Sequence, residues 1–306
     1  MRKILLTGIT GQVGRELQRT LPVLGEVIGV DRQQLDLSQP EQIRRRILDI
    51  EPDIIVNAAA YTAVDKAETE SEMAIAINAR APQAIALAAR DIGATVLHIS
   101  TDYVFNGKHH TPYLETDRTD PLGVYGKSKL LGEQGVASCD RHIILRTSWV
   151  YGSRGHGNFV KTMLKLGAAR SELKVVADQI GSPTWSYDIA LTITKLLSKS
   201  LTNSNIRGIY NFSSSGVASW YDLAVATFTE AQQLGFPLKV ERVLPITTAE
   251  FPTPSDRPAY SVLSKTKISQ TLGSYPPHWQ ESLSQMLTEW REISFDEVKQ
   301  AKPLAV

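Results

Sequence analysis

The sequence predicts an α/β fold: a doubly wound, parallel Rossmann-type sheet with a smaller C-terminal α/β unit. Three observations carry that expectation. Short, wholly apolar runs alternate with helical patterns through the first half of the chain. A glycine loop, Gly8-Ile9-Thr10-Gly11-Gln12-Val13-Gly14, joins the first apolar run to the first helical pattern. After about residue 150 the rhythm loosens and turn residues accumulate. Apolar strands separated by helices belong to a parallel sheet covered on both faces. Right-handed crossovers then place helices on either side.

Strands are expected over residues 3–7, 26–30, 53–57, 95–99 and 143–146, with 173–176 as a sixth. Helices are expected over 12–21, 40–48, 71–90 and 125–136. In the second half a helix starts near Asn158 and another covers 186–197. The polar stretch 201–207 reads as a connector, and 208–212 as a strand. Residues 219–232 form a helix with Ser219 as its N-cap, since a serine oxygen can accept a first-turn N–H. Residues 245–258 hold Pro245, Pro252, Pro254 and Pro258 and read as an extended loop. A last amphipathic helix covers 280–290, and a mobile tail starts at about Phe295. Residues 1–150 are expected to bind a dinucleotide. Residues 151–306 are expected to bind mainly substrate, with a possible return of the chain into the first unit.

Composition bounds the function. A net charge of +1 on 306 residues favours neither nucleic acid nor a membrane surface. One cysteine, Cys139, excludes an intramolecular disulfide and suits a reducing compartment. Met1-Arg2-Lys3 followed by apolar residues imitates a signal peptide, but Thr7, Gly8 and Thr10 interrupt the run. The expectation is a cytoplasmic protein with no nucleic-acid or membrane partner. His98, His109, His110, His142, His156 and His278 show no metal-ligand spacing, so the spacing itself predicts no metal.

The glycine loop has a physical reading. Gly8 permits the tight turn out of the strand, Gly11 lets backbone approach phosphate, and Gly14 lets the helix lie close to the sheet. Helix N–H groups then face a pyrophosphate. Asp31 ends the second strand, where a carboxylate bonds an adenosine ribose 2′-hydroxyl. Arg32 follows and suits a 2′-phosphate, so both NADH and NADPH are expected. Asp36 and Leu37 are expected beside the adenine. Ala58, Ala59 and Ala60 close the third strand with the small side chains that a neighbouring cofactor requires.

The second constellation is Tyr125 and Lys129, which share one helix face. An ammonium beside a phenol lowers its ordinary pKa near 10. That would fit the tyrosine for proton exchange with a carbonyl or alcohol oxygen. Thr101 follows the fourth strand, at the carboxyl edge where ligands bind in such sheets, and its hydroxyl can orient the same oxygen. Trp149 is either core or the wall of a sugar or base pocket. There is no P-loop and no nucleophile elbow.

These residues resemble the extended short-chain dehydrogenase/reductase family from about residue 3 to about residue 290. The resemblance is carried by Gly11-Gln12-Val13-Gly14, Asp53-Ile54-Ile55-Val56-Asn57-Ala58-Ala59-Ala60 and Tyr61-Thr62-Ala63-Val64-Asp65-Lys66-Ala67-Glu68. It is carried further by Ser100-Thr101-Asp102-Tyr103-Val104-Phe105, Tyr125-Gly126-Lys127-Ser128-Lys129 and Arg146-Thr147-Ser148-Trp149-Val150-Tyr151. Asn158-Phe159 and Asp178-Gln179-Ile180-Gly181-Ser182-Pro183-Thr184 complete it. The resemblance implies NADPH- or NADH-dependent reduction of the 4-keto group of a dTDP-4-dehydro-6-deoxysugar. It implies Thr101, Tyr125 and Lys129 as the catalytic triad, with substrate contacts from Thr62, Val64, Asp102, Tyr103 and Trp149. A substrate with two phosphates also needs donors and cations, for which Asn158, Lys161 and Arg257 are the candidates. Members of the family can dimerise through magnesium held by three glutamates. Glu16 and Glu289 stand at suitable positions, but Tyr187-Asp188 stands where the third glutamate belongs, so the metal-linked homodimer is in doubt. Two other functions stay open: an NAD-dependent nucleotide-sugar epimerase or dehydratase, and a non-catalytic binder like the regulatory subunit of methionine adenosyltransferase.

Overall fold

A computed structural model describes the backbone of residues 1–300 and the side chains of residues 1–293. The first half alternates as expected: β1 (Lys3–Thr7), α1 (Gln12–Thr20), β2 (Glu26–Val30), α2 (Pro40–Ile50), β3 (Ile54–Asn57), α3 (Val64–Ala67), α4 (Ser71–Ile75), α5 (Ala81–Ile92), β4 (Thr95–Thr101), α6 (Val124–Val136) and β5 (His142–Thr147). The second half contains β6 (Val150–Tyr151), α7 (Phe159–Ala169), β7 (Glu172–Val176), β8 (Ile180–Gly181), β9 (Thr184–Trp185), α8 (Ser186–Ser200) and β10 (Gly208–Asn211). It ends with β11 (Ala218–Ser219), α9 (Trp220–Gln233), β12 (Arg242–Ile246), α10 (Thr266–Leu272) and α11 (Trp279–Gln300).

The main sheet has the order β10-β5-β4-β3-β1-β2, with every pair parallel. Strand order reverses between β1 and β3. In such sheets a ligand crevice opens above the carboxyl ends at that reversal, where the glycine loop and Ala58–Ala60 meet. Alternation along the strands builds two cores. Leu5, Ile55, Val96 and Ile144 pack with Ile43 and Ile47 of α2 and Ile85 and Ala89 of α5. Their neighbours Ile4, Leu6, Ile54, Val56, Leu97, Ile143 and Leu145 pack on the other face with Leu17 of α1 and Ile189, Ile193 and Leu196 of α8. A third cluster joins α7, α9 and α11 around Val160, Phe228, Trp279 and Met286. Among the described residues no helix is long and apolar enough to cross a membrane.

Four expectations are corrected. The sixth strand of the main sheet is β10, which pairs with β5, and not residues 173–176. Those residues lie in β7 and pair instead with β12, so the presumed loop begins with a strand that includes Pro245. The expected helix 71–90 is interrupted by a π-helical turn at Ala76–Arg80. Pro82 lacks an N–H and would crowd the carbonyl four residues earlier, that of Asn78; a wider turn there relieves both. α11 runs on to Gln300, while residues 301–306 of the expected mobile tail lie outside the described residues.

α6 is tied to the sheet by a buried ion pair. Arg146 of β5 donates through Nε and Nη2 to the two carboxylate oxygens of Glu133, at 2.9 and 2.7 Å. Both side chains are almost fully buried, at 3% and 4% exposure. Removing one partner leaves an uncompensated charge in the interior, which costs about 3–5 kcal/mol. Glu133→Ala is therefore expected to lower unfolding stability by about that amount. The shift in the urea midpoint checks it, and a loss under about 1 kcal/mol would show that the arginine finds water or another acceptor.

Candidate active site

The glycine loop leaves β1 at Gly8, whose φ of +74° is a conformation L side chains rarely adopt. A Cβ at Gly8 would lie 2.7 Å from the Ala59 nitrogen, and one at Gly14 only 2.0 Å from the Gly8 carbonyl oxygen. The loop is thus packed against the end of β3 and against itself. α1 begins after Gly11, with no side-chain cap and no acidic residue in its first turn. Unpartnered first-turn N–H groups and a positive helix end form an anion site, so these residues fit a dinucleotide pyrophosphate.

The other expected cofactor residues lie along the same edge. Gln12 accepts from the Asn158 amide (2.8 Å), and Val13 packs against the second core. Asp31 closes β2; one carboxylate oxygen accepts the N–H groups of Gln33 and Gln34. Arg32 is exposed beside it. Asp36 accepts from the backbone and hydroxyl of Ser38, which holds its carboxyl below the usual range. Leu37 is buried with Leu35 in the first core. Ala58, Ala59 and Ala60 remain partly exposed along the crevice.

Thr101, Tyr125 and Lys129 come together where α6 crosses the carboxyl end of β4. The Thr101 side chain lies beside the Tyr125 hydroxyl and accepts the Tyr103 N–H (3.2 Å). It also donates to Asp102 (3.0 Å). The Tyr103 and Tyr125 rings meet edge to face at 5.6 Å. Lys129 is buried and donates to the Ile99 carbonyl (2.6 Å). Its ammonium does not lower the Tyr125 phenol, contrary to the sequence expectation. Burial dominates and pushes Tyr125 well above its ordinary value, opposed by the Thr101 hydrogen bond. Burial likewise pushes Lys129 down to about 8 and Asp102 up to about 6. A low-dielectric site penalises each charged form, whatever its sign.

The remaining expected substrate residues divide into two groups. Thr62 and Val64 lie just before and at the start of α3. Beside them Arg257 donates to Asp65 (2.9 Å) and to the Tyr103 hydroxyl (3.2 Å), drawing the proline-rich loop over the triad. Trp149 has φ of +46°, a strained value for a bulky residue, and stacks flat on Trp220 with ring centroids 3.5 Å apart. Asn158 faces the glycine loop. Its Oδ1 caps α7 through the Lys161 N–H, and its Nδ2 donates to Gln12 and to the Gly152 carbonyl. Lys161 places its ammonium 5.3 Å from the centre of the Trp290 ring.

Sequence reading missed several contributors. Trp220 donates to Gln179 (3.1 Å) and braces Trp149. Asn78, in the π-helical turn, bonds both backbone groups of Tyr61 and the Ser128 hydroxyl. Buried His98 contacts Lys129. Their partners Tyr61, Ser128, Lys129, Trp149 and Gln179 fell within recognisable motifs, but Asn78, His98 and Trp220 themselves did not.

The magnesium site implied by the resemblance does not fit these side chains. Glu16, fully buried, and Glu289 share the Arg19 guanidinium, at 2.6 and 2.9 Å. Arg154 lies against both carboxylates, and Ser153 donates to Glu289. Two guanidinium groups supply the positive charge there, while Asp188 accepts from Ser282 instead (2.6 Å). No group of three or more possible metal ligands occurs among the described residues.

Comparison with known proteins adds to this geometry. The family described as the RmlD substrate binding domain matches residues 1–292. The dTDP-4-dehydrorhamnose reductase of Escherichia coli K12 is 46% identical over 291 residues, 94% of this chain and 97% of that protein. A dTDP-4-dehydrorhamnose reductase structure from Clostridium acetobutylicum is 39% identical, with a TM-score of 0.86, covering 94% of this chain and 99% of that one. One from Bacillus anthracis, in complex with NADP, is also 39% identical, with a TM-score of 0.87 over 94% of this chain and 100% of that one. With its glycine loop, its Thr101-Tyr125-Lys129 cluster and this agreement over nearly the whole length, the chain belongs to the RmlD family of dTDP-4-dehydrorhamnose reductases.

Proposed function

We propose that the protein is an NAD(P)H-dependent reductase that converts the 4-keto group of dTDP-4-dehydro-6-deoxy-L-mannose into the alcohol of dTDP-L-rhamnose. The observation that carries this reading is the meeting of Thr101, Tyr125 and Lys129 beside a dinucleotide cradle. The nicotinamide nucleotide supplies a hydride to the carbonyl carbon when bound. Tyr125, kept protonated by burial, donates its proton to the carbonyl oxygen as negative charge develops there. Thr101 orients that oxygen. Lys129 stands behind the pair. Asp31 holds the adenosine ribose, and Arg32 makes room for NADPH beside NADH. Trp149, braced by Trp220, walls the sugar pocket with Thr62, Val64, Asp102 and Tyr103, and Arg257 meets the diphosphate.

Residues 1–150 serve the cofactor and 151–306 mainly the substrate, with β10 returning to the main sheet. The reading places the enzyme in the cytoplasm, where its nucleotide substrates are made, as a homodimer that needs no shared cation. The epimerase or dehydratase reading has less support: the full-length relatives are reductases, and a dehydratase usually adds an acidic pair beside the threonine, of which Asp102 is only a partial match. The non-catalytic reading leaves the buried triad without a task.

The direct test is oxidation of NADPH and NADH with dTDP-4-keto-6-deoxysugar, followed by identification of the product. Tyr125→Phe is expected to cut kcat by about 10²-fold or more with cofactor affinity little changed, since general acid catalysis supplies about 10²–10⁴. Turnover within about threefold of the parent would remove Tyr125 from the chemistry. Arg257→Ala is expected to weaken dTDP binding to the NADPH-loaded enzyme by about 1.5–3 kcal/mol, as for a lost charged hydrogen bond. Calorimetry measures it, and an unchanged Kd would put the diphosphate elsewhere. Exhaustive EDTA treatment is expected to leave both turnover and sedimentation unchanged, because Arg19 and Arg154 already neutralise Glu16 and Glu289. Loss of either on chelation, restored by magnesium, would contradict that reading.

A further inference from the structure

His98 lies on β4, fully buried, and its two ring nitrogens meet different partners. Asn57 Nδ2 is 3.1 Å from Nδ1, and Lys129 Nζ is 3.3 Å from Nε2. The asparagine decides where the ring proton sits. Its Oδ1 accepts from the Thr7 hydroxyl (2.7 Å) and from the Ala59 N–H (3.3 Å). A backbone N–H can only donate, so the amide oxygen must face Ala59 and the NH₂ must face His98. An amide NH₂ also only donates, so Nδ1 must accept. Deep burial, reinforced by the neighbouring lysine, keeps the imidazole neutral. Its one proton is therefore on Nε2 and points at Lys129.

That orientation constrains the lysine. An ammonium has three donors and no lone pair, so it meets a ring N–H with like polarity. An amine has one lone pair for the ring N–H and two hydrogens, one of which serves the Ile99 carbonyl. We infer that the Thr7–Asn57–His98 chain biases Lys129 toward its neutral amine, and that His98 is a positioning residue which acts through that lysine. Burial pushes Lys129 in the same direction, against the field of Glu133. The charged and titratable groups around it are few. Tyr125 and Glu133 come from its own helix, and His98 from β4. Arg146 of β5 occupies both oxygens of Glu133. Asn57 of β3 and Asn78 of the π-helical turn carry no charge. The consequence for turnover rests on the proposed reductase reading. An amine that takes up a proton from water can return it to the tyrosinate left when Tyr125 protonates the substrate, which a permanent cation cannot do repeatedly.

The test needs no turnover, so its failure is distinct from failure of the reductase reading. In protein with ¹⁵N-labelled histidine, the His98 ring is assigned by its absence in His98→Gln. Its long-range couplings should show a neutral Nε2–H ring that does not titrate between pH 6 and 9. In protein with ¹³Cε-labelled lysine, Lys129 is assigned in Lys129→Met. Its titration midpoint should lie at least about one unit below the ordinary lysine value of about 10.4. His98→Gln can turn a carbonyl toward Nζ without adding charge. Asn57→Asp can only accept, and so reverses the ring tautomer. Each should raise the Lys129 midpoint by about one unit. If one variant does not fold, the other carries the comparison, and the ring tautomer of the parent protein stands alone as a measurement. An Nδ1–H ring, an ordinary lysine midpoint, or a midpoint that neither substitution moves overturns the inference.

Discussion

The close seating of α6 on the sheet is the constraint from which the rest of the site follows. A Cβ at Gly126 would lie 2.2 Å from the Tyr103 carbonyl oxygen, and one at Gly132 only 2.0 Å from the Asn78 carbonyl oxygen. The helix is therefore in backbone contact on two sides, with the turn that follows β4 and with the π-helical turn. That turn exists because Pro82 cannot continue an ordinary helix through Asn78. It frees the Asn78 side chain to hold the Tyr61 backbone and the Ser128 hydroxyl at once. The Arg146–Glu133 pair fixes the far end of the helix. With both ends fixed, Tyr125 and Lys129 have little freedom in where they present their polar atoms. A reaction that depends on near-attack geometry gains from such rigidity, because a small displacement of the acid is costly.

The same close packing sets the electrostatics. A phenol, an ammonium and a carboxyl lie within one poorly solvated region, and burial moves each toward its neutral form. The sequence suggested the opposite for Tyr125, because pairing at four residues' spacing puts charge beside the phenol. In the fold the Lys129 amino group is directed to the Ile99 carbonyl and the His98 ring. A protonated tyrosine suits keto reduction better than a tyrosinate, since reduction consumes a proton at the oxygen. Oxidation of the alcohol would ask for the reverse, so the buried phenol favours the reductive direction of the proposed chemistry.

Much of the fold was legible because local pattern and tertiary position agree. The residues of β1, β3, β4 and β5 are apolar on both faces, and the sheet buries both. The glycine loop was legible because backbone conformation and close approach demand glycine itself. The π-helical turn was hidden, since amphipathic spacing across residues 71–90 reads as one helix until Pro82 meets Asn78. The sixth strand was misplaced because residues 173–176 (Leu173-Lys174-Val175-Val176) are more apolar than residues 208–211 (Gly208-Ile209-Tyr210-Asn211), and only long-range pairing shows that the second segment joins the main sheet. His98 looked like a histidine without ligands. Its role emerges from Asn57 and Lys129, 41 and 31 residues away. Trp220 had no local signal, because a tryptophan at the start of a helix reads as core until the strained Trp149 is seen against it.

Arg257 shows how a modest interaction can matter more for function than a strong one. Its partner Asp65 keeps 40% of its side chain exposed, and the Arg257 side chain keeps 23%. Pairs this open to water contribute little stability. The buried Arg146–Glu133 pair, by contrast, has no solvent with which to exchange. A guanidinium has five N–H donors in a fixed fork, and Asp65 and Tyr103 each take one. Under the proposed reading an incoming diphosphate shares or replaces Asp65 at small cost, and the loop that carries Arg257 is already drawn across the triad. Weak, solvated pairing at the mouth and strong, dry pairing behind α6 thus suit their different tasks: the first must exchange partners at every turnover, and the second must never do so.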